Sequence, residues 1–471
     1  MTCDAPLTLD DNLWKRGSQS RARQVSSKNS SPPSLAENTE KSTIWLDRML
    51  AVTGGNHCNK RLRQRNCGLI VSRAVSQRTF GLLRLGLSMF GRLRLTCGTL
   101  LILVSSVALG QNRAFHASLF NGRDLDGWQV TSCEAVVENG LLLLKSGDGF
   151  VRTNERHGDF VLELDWRARR ASNYDSGIYI RADLPDANKP WPNRYQVNLK
   201  QGGEGNLLGV AGGTSGGLAK AGDWNHFKLS VIGDSAELEI NGKKAWKTAG
   251  LVNADGYIGL QSEVDGGGQF EFRNLEITDL DFKPLFNGKD LTDWMGDTAG
   301  YSVEDGSLVC RKDGGGNLFT TSEHADFSFR FDFKLSAGGN NGVGIRAPLK
   351  SDPAYSGMEI QILDDPADQY RSIQPWQAHG SVYGIAPAKR GYLKPVGEWN
   401  HEEIIAHGRQ ITVILNGTTI VDVNLDEVGK PQTLDGKPHP GLSRTEGHLG
   451  FLGHGARIEL RDMRVKDIGK K

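Results

Sequence analysis

The chain has 471 residues, including 59 glycines, 10 tryptophans and 17 phenylalanines, and a formal net charge of +1. This length predicts two or three domains, and so much glycine without a collagen period favours a turn-rich β protein over a helical bundle. The first 110 residues hold sixteen of the 56 basic residues and six of the 55 acidic ones, so residues 111–471 carry a net charge of −9. Nucleic-acid binding needs a basic surface, and this acidic body excludes it.

The N-terminal region has the composition of processed or unstructured sequence. Residues 1–88 include a stretch rich in Ser, Asn, Arg and Pro, which predicts a disordered extension. The alternative is that translation starts at Met89 and that residues 1–88 are not part of the protein. Residues 89–110 place two arginines before the apolar run Leu95–Leu109, which is typical of a signal peptide ending near Gly110. The run is short for a membrane span, and an uncleaved anchor is the alternative. We therefore expect the chain to be exported, with no membrane span in the mature chain.

The rest of the chain contains one pattern twice, which predicts a domain at 111–280 and another at 281–471. Each copy is far longer than a solenoid repeat, so each should fold as a whole domain. Five segments recur in the same order: Phe120–Trp128 as Phe286–Trp294, Asp159–Trp166 as Asp326–Phe333, Gly177–Arg181 as Gly342–Arg346, Gly222–His226 as Gly397–His401, and Asn241–Gly242 as Asn416–Gly417.

Within each copy the local signals are those of strands and hairpins. Phe160–Trp166 and Phe327–Phe333 alternate apolar and polar residues, as half-buried strands do. Each copy also runs a strand into an Asn-Gly turn, which is a strong hairpin signal. Since no helical period of any length accompanies them, the sequence predicts an all-β fold of two tandem antiparallel β-sandwiches.

Several of these segments together resemble a known family. They are the opening Phe-Asn-Gly-x-Asp-Leu-x-x-Trp, the Gly-Ile-x-x-Arg strand, Glu359-Ile-Gln-Ile-Leu-Asp364 and Gly397-Glu-Trp-Asn400. The family is that of the 3-keto-disaccharide hydrolases, and the resemblance covers both copies. It implies a jelly roll of the concanavalin-like lectin/glucanase type and hydrolysis of glycosides whose sugar is oxidised at C3, so that the expected partner is a carbohydrate. It also implies a bacterial source, with export to the periplasm or the medium.

The strand from Glu359 to Asp364 carries the candidate catalytic carboxylates. Strict alternation puts Glu359 and Gln361 on one face and Asp364 on the other, and a β-bulge after Gln361 would return Asp364 to the Glu359 face. Two carboxylates on one bulged strand could stand at the roughly 5 Å that retaining glycosidases need. The arrangement is similar to the Glu-x-Asp-x-x-Glu strand of bulged glucanases. The alternative is a solvated acidic strand end.

The 3-keto chemistry that the resemblance implies asks for different groups. A ketone at C3 acidifies the C2 proton, so a base, an acid for the leaving oxygen and a donor for the enolate would suffice. Glu359 or Asp364 could be the base, His379 the acid, and Arg346 the enolate donor. The alternatives are a hydrogen-bonding loop histidine and a surface ion-pair arginine.

Other side chains are candidates for binding sugar or a cation. Trp376 and Tyr383 could stack on a sugar ring, or they could pack in the core. Asp364, Asp365 and Asp368 could share a hard cation such as Ca²⁺, or they could form a solvated acidic turn, and the use of a metal stays open.

The first copy departs from the second where the chemistry is expected. It keeps Arg181 and aligns Gln196 with Gln361, and both glutamines are candidate sugar-binding groups, but it loses both carboxylates. We therefore expect the first copy to bind or support and the second copy to cleave. The alternative function is a non-catalytic, lectin-like carbohydrate-binding surface protein, which would need only aromatic and amide groups.

Overall fold

The computed structural model describes residues 114–430 and 432–469. The predicted extension and signal peptide lie outside the described residues and stay predictions. The described part of the chain forms 27 strands, and its two α-helices, α1 Val264–Gly267 and α2 Pro353–Ser356, have four residues each. No helix in these two ranges has the length and apolar character needed to cross a membrane.

The first half consists of fourteen strands, joined by turns. Their bounds are β1 Phe115–Ser118, β2 Trp128–Thr131, β3 Glu134–Glu138, β4 Leu141–Ser146, β5 Asp148–His157, β6 Phe160–Ala168, β7 Gly177–Ala182, β8 Gln196–Asn198, β9 Leu207–Leu208, β10 Asn225–Ile232, β11 Ser235–Ile240, β12 Lys243–Ala249, β13 Gly256–Glu263 and β14 Phe270–Asp279.

The second half consists of thirteen strands, helix α2 and four short 3₁₀ helices. The strands are β15 Lys283–Pro284, β16 Trp294–Gly296, β17 Tyr301–Glu304, β18 Ser307–Cys310, β19 Gly316–His324, β20 Phe327–Leu335, β21 Asn340–Ala347, β22 Met358–Leu363, β23 Trp399–His407, β24 Gln410–Leu415, β25 Thr418–Asn424, β26 Gly447–Gly453 and β27 Ile458–Asp467. The 3₁₀ helices are Thr298–Gly300, Asp368–Tyr370, Pro375–Gln377 and Pro440–Ser443.

Each half is a sandwich of two antiparallel sheets. In the first, β12-β11-β10-β6-β14-β4-β3, with β1 beside β14, faces β2-β5-β13-β7-β8-β9. In the second, β17-β18-β27-β20-β23-β24-β25, with β15 beside β27, faces β16-β19-β26-β21-β22. One apolar core fills each sandwich and takes side chains from both of its sheets. The prediction of an all-β fold with two sandwiches is confirmed.

Alternation along the central strands builds these cores. In β6 the side chains of Phe160, Leu162 and Leu164 are fully buried, while the residues between them are partly exposed. The aromatic side chains of β20 fill the same place in the second core, where Phe329 and Phe331 stack with centroids 5.0 Å apart. Each such side chain contributes about 1.5–3 kcal/mol through burial, so these strands anchor the sandwiches.

Charged side chains join the two sandwiches. Glu155 of β5 accepts hydrogen bonds from Arg330 at 2.8 Å and from Arg464 at 2.6 Å, and both arginines belong to the second sandwich. The Nε2 atom of His401 lies 3.2 Å from the same carboxylate. The side chains of Arg330 and Arg464 are only 4% and 6% exposed. Glu403 of the second sandwich also lies 3.0 Å from Arg330. Glu155 is therefore the anion that the first sandwich supplies to buried cations of the second.

Candidate active site

A cleft of about 250 Å³ lies beside β22 on the second sandwich. Carboxyl, imidazole, phenol and amide groups converge in it, and the ones used below belong to Glu359, Gln361, Asp352, Tyr355, Tyr383 and His454. A concave site with a few convergent polar groups is the usual form of a small-molecule site, so this cleft is the candidate active site.

Strand β22 places Glu359 in the cleft by simple alternation. Met358, Ile360 and Ile362 point into the core, while Glu359 and Gln361 point outward to the cleft. The side chain of Glu359 lies directly over Gly342 of β21, where a Cβ atom would stand 1.9 Å from Oε1. Glycine at this position therefore makes room for the carboxyl group.

The environment of Glu359 is that of a proton-transfer group. Its side chain is nearly buried, and Oε1 has no hydrogen-bond partner among the described residues. Burial raises the pKa of this carboxyl, the imidazole of His454 opposes the shift, and the charge of Asp352 adds to it. A carboxyl whose pKa is raised by burial in a cleft is a candidate for general acid–base chemistry.

His454 is a cleft residue that sequence reasoning missed, as is Tyr355. Its Nε2 lies 3.8 Å from Glu359 Oε1, and its side chain is 51% exposed at the rim of the cleft. Its interaction with Glu359 raises the pKa of the imidazole, although burial works in the other direction. The available signal was its setting between Gly453 and Gly455, just after strand β26.

The segment after the helix Pro375–Gln377 forms one wall of the cleft. Val382 bridges to Ile360, and the N–H of Tyr383 donates to the Glu359 carbonyl at 2.9 Å, which aligns the phenol ring with the cleft. Trp376 stands edge-on to Tyr383 with centroids 5.1 Å apart and is half-buried just outside the lining. The structure therefore places two of the predicted sugar-binding residues, Gln361 and Tyr383, in the cleft and the third, Trp376, next to it.

The predicted bulge that would carry Asp364 into the cleft is absent. The pairing of β21 with β22 runs without a shift from Asn340↔Leu363 to Ile345↔Met358. Asp364 follows the strand on the opposite face, where its Oδ2 accepts the N–H of Gly338 at 2.7 Å. The prediction that Asp364 joins Glu359 is therefore wrong, and its carboxylate holds a turn.

His379 points into the sandwich instead of the cleft. Its Nδ1 accepts the N–H of Leu363 at 3.3 Å, and its Nε2 lies 3.0 Å from the buried carboxylate of Glu402. The ring packs on Phe333 with centroids 5.0 Å apart. Because the side chain is only 3% exposed and its ring lies in the core, away from the cleft, the predicted role as an acid for the leaving group does not fit.

Arg346 is also turned away from the cleft. Its backbone has a φ of +46°, and the register of β21 against β26 shifts between Gly344 and Ala347. A bulge of this kind re-aims the side chains that follow it. The guanidinium group donates to the Ala325 carbonyl at 3.1 Å and pairs with Asp326 at 3.1 Å. The prediction that Arg346 is the enolate donor is therefore wrong, because its buried guanidinium group binds neighbouring parts of the same sandwich.

Arg181 repeats this arrangement in the first sandwich. It has a φ of +43°, pairs with Asp159 at 2.7 Å and donates to the Gly158 carbonyl at 2.8 Å. Its side chain is 1% exposed. The conserved geometry in both sandwiches marks a shared structural device, so the prediction that Arg181 contacts a sugar does not fit.

The strand register places Gln196 at the position of Glu359, not of Gln361 as the sequence suggested. Gln196 pairs with Tyr179 as Glu359 pairs with Gly344. A Cβ atom on Gly177 would stand 2.0 Å from Gln196 Nε2, which matches the contact between Gly342 and Glu359. The first sandwich thus carries an amide where the second carries a carboxyl.

The three aspartates proposed for Ca²⁺ have separate protein partners. Asp365 pairs with Arg390 and Asp368 with Arg371, each at 2.7 Å, while Asp364 caps a turn as described. Within residues 114–430 and 432–469 no group of three or more His, Cys, Asp or Glu side chains has the spacing of a metal site. The use of a cation stays a prediction.

Comparison with known proteins gives relatives that are named as hydrolases. A 3-keto-disaccharide hydrolase of Bacteroides thetaiotaomicron is 23% identical over 222 residues, which cover 39% of this chain and 77% of that protein. A solved structure from Parabacteroides distasonis, of a protein proposed to be a glycosyl hydrolase, is 30% identical over 40% of this chain and 99% of its own, with a TM-score of 0.37. A second such structure from that organism is 26% identical over 40% and 94%, with a TM-score of 0.35.

The sequence model of a family described as the 3-keto-alpha-glucoside-1,2-lyase-like domain matches residues 116–278 and 281–466. These two segments span most of the chain, and the match confirms the resemblance that the motifs indicated. The chain therefore belongs to the family of 3-keto-alpha-glucoside-1,2-lyase-like domains.

Proposed function

We propose that the protein is an exported hydrolase of glycosides or disaccharides oxidised at C3, and that the second sandwich carries the reaction in the cleft beside β22. The observation that carries the proposal is Glu359, a buried carboxyl with a raised pKa, an unpaired oxygen and an imidazole 3.8 Å away. A carboxyl of this kind can accept a carbon-bound proton that a neighbouring ketone has acidified.

In the proposed reaction Glu359 takes the proton from C2, and the electrons of that bond form a C2–C3 double bond as the ketone becomes an enolate. The enolate then returns to the ketone while the bond from C1 to the leaving oxygen breaks, which forms a C1–C2 double bond. His454 gives a proton to the leaving oxygen. Water adds its hydroxyl to C1 and its proton to C2, so the net change is hydrolysis.

The names of the relatives support the substrate class and leave two outcomes for the product. A lyase releases the sugar with the C1–C2 double bond, whereas a hydrolase adds water to it. Since His454 is half exposed at the rim of the cleft, water can reach C1, and we assign hydrolysis. The first sandwich has Gln196 at the position of Glu359, and an amide cannot take up a proton, so we assign it binding or support.

The test of this proposal is turnover of a chromogenic 3-keto-glucoside and of the matching unoxidised glucoside by the full chain, in D₂O and with or without EDTA. We expect release of the chromophore only from the keto substrate and deuterium at C2 of the product, because the C2 proton leaves before water adds. Cleavage of the unoxidised glucoside at a similar rate, or no deuterium at C2, would contradict the elimination. Loss of turnover in EDTA would add a metal.

Replacement of His454 should change both limbs of the pH profile. In His454→Gln the imidazole no longer opposes the raised pKa of Glu359, so the acid limb of kcat/KM should move to higher pH, and the alkaline limb should disappear. We expect kcat to fall about 10²-fold to 10³-fold through loss of the acid. The control is His407→Gln at an exposed position, and an unmoved acid limb in His454→Gln would refute the coupling.

A further inference from the structure

One residue that lines the cleft is a tyrosine whose hydroxyl group accepts a hydrogen bond from a lysine at the surface. Tyr355 lies in helix α2 and lines the cleft with Glu359. The Nζ atom of Lys437 donates to the phenol oxygen of Tyr355 at 2.8 Å. An ammonium group has donors only, so the phenol oxygen accepts this bond and its own hydrogen is left for another acceptor. Across the described ranges, Lys437 is the single hydrogen-bond partner of that hydroxyl.

The ring of Tyr355 is fixed by packing that reaches into the protein. Its centroid lies 4.6 Å from that of the His439 imidazole. His439 Nε2 is in turn 3.1 Å from Asp435, and these two side chains are 1% and 2% exposed. The Lys437 ammonium also lies 4.9 Å from the centre of the phenol ring. A donor that is held in place before substrate binds is the kind that stabilises developing charge most effectively.

We propose that Tyr355 is a catalytic residue that donates a hydrogen bond to the C3 oxygen of the substrate as this oxygen becomes an enolate. Lys437 acts through the phenol as a positioning residue, with its positive charge behind the donor. The proton stays on Tyr355 throughout, and the C2 proton goes to Glu359. This inference rests on the proposed function. It gives Tyr355 the role of enolate donor, which Arg346 cannot have because its side chain points away from the cleft.

Removing the hydroxyl should slow the chemical step more than it weakens binding. For Tyr355→Phe in the full chain we expect kcat on a chromogenic 3-keto-glucoside to fall about 10²-fold to 10³-fold, as it does when one oxyanion donor is lost, with KM nearly unchanged. The rate of C2 proton exchange in D₂O should fall by the same factor. A variant with wild-type kcat and a melting temperature near that of the wild type would overturn the proposal.

The role of Lys437 is tested by one substitution that removes its positive charge and one that keeps it. Lys437→Met should lower kcat, Lys437→Arg should restore most of it, and Lys437→Met should add little to Tyr355→Phe because it acts only through the phenol. The control is Lys430→Met, an exposed lysine earlier in the same connection. Losses that multiply in the double variant would refute this role. If Glu359→Gln abolishes turnover while Tyr355→Phe does not, only this inference fails; if Glu359→Gln leaves turnover intact, the proposed function fails.

Discussion

We expect the Glu359→Gln variant to fold normally but to have lost nearly all of its kcat for cleavage of the 3-keto-glucoside. The amide has nearly the same shape as the carboxyl and fits over Gly342 in the same way, but it cannot take up the C2 proton. We expect kcat to fall by about 10³-fold or more. Since the side chain still fills its place, calorimetric binding of the keto substrate should change by less than about threefold, which separates loss of chemistry from loss of the cleft.

The matched control for this substitution is Glu398→Gln, at an exposed position away from the cleft. It makes the same change of one oxygen to one nitrogen and should leave kcat and KM unaltered. The first sandwich contains the natural counterpart, because Gln196 occupies the equivalent register position. If Glu359→Gln keeps more than about a tenth of the wild-type kcat, the base is another group and the assignment of the reaction to Glu359 is wrong.

Glu155→Gln should cause a large loss of stability, because it removes the anion that pairs with Arg464 and leaves Arg330 with Glu403 alone. Both guanidinium groups would stay buried with one charge partner fewer. Breaking a buried pair from one side typically costs 3–5 kcal/mol, and the Glu155 side chain is 19% exposed, so we expect about 3 kcal/mol. Urea unfolding at pH 7 measures this difference, and the control is Glu134→Gln, which breaks an exposed pair with Lys145.

The pH dependence of the same difference gives a second test. Burial opposes ionisation of Glu155, but the charges of Arg464, His401 and Arg330 outweigh it and hold the pKa well below the usual 4.5. A carboxyl with a lowered pKa stabilises the fold above the unfolded value and loses that contribution as the pH falls. The gap between wild type and Glu155→Gln should therefore be full above pH 4.5 and shrink below it. A gap that is equal to that of Glu134→Gln would contradict the interface role.

Much of the fold was predictable because its signals are local. The alternation at Phe160–Trp166 and Phe327–Phe333 locates strands that the structure extends by two residues each, to Ala168 and Leu335. The same alternation rule puts Glu359 and Gln361 on the outer face of β22. Such patterns depend only on the period of the backbone, so they survive without knowledge of the partner strands.

The rest of the site depends on partners that are distant in sequence. Arg346 should face the cleft by alternation, but a bulge and a positive φ turn it away. The orientation of His379 is set by Phe333 and by Glu402, which belong to other strands. His454 comes from a strand end far along the chain, and only the order of strands in the sheet brings it beside Glu359. Register and bulges are properties of strand pairs, which one sequence does not reveal.

The ion cluster around Glu155 also limits how the molecule can be cut. The anion lies in the first sandwich, whereas the cations that it neutralises lie in the second. In a fragment that starts at residue 281, Arg330 and Arg464 would become exposed to solvent. They would also lose their ion pairs with Glu155. Inactivity of such a fragment would then report a missing support, and deletion of one half is a poor way to assign the reaction to the other. Single-atom changes at Glu359 and Tyr355 in the full chain avoid this difficulty.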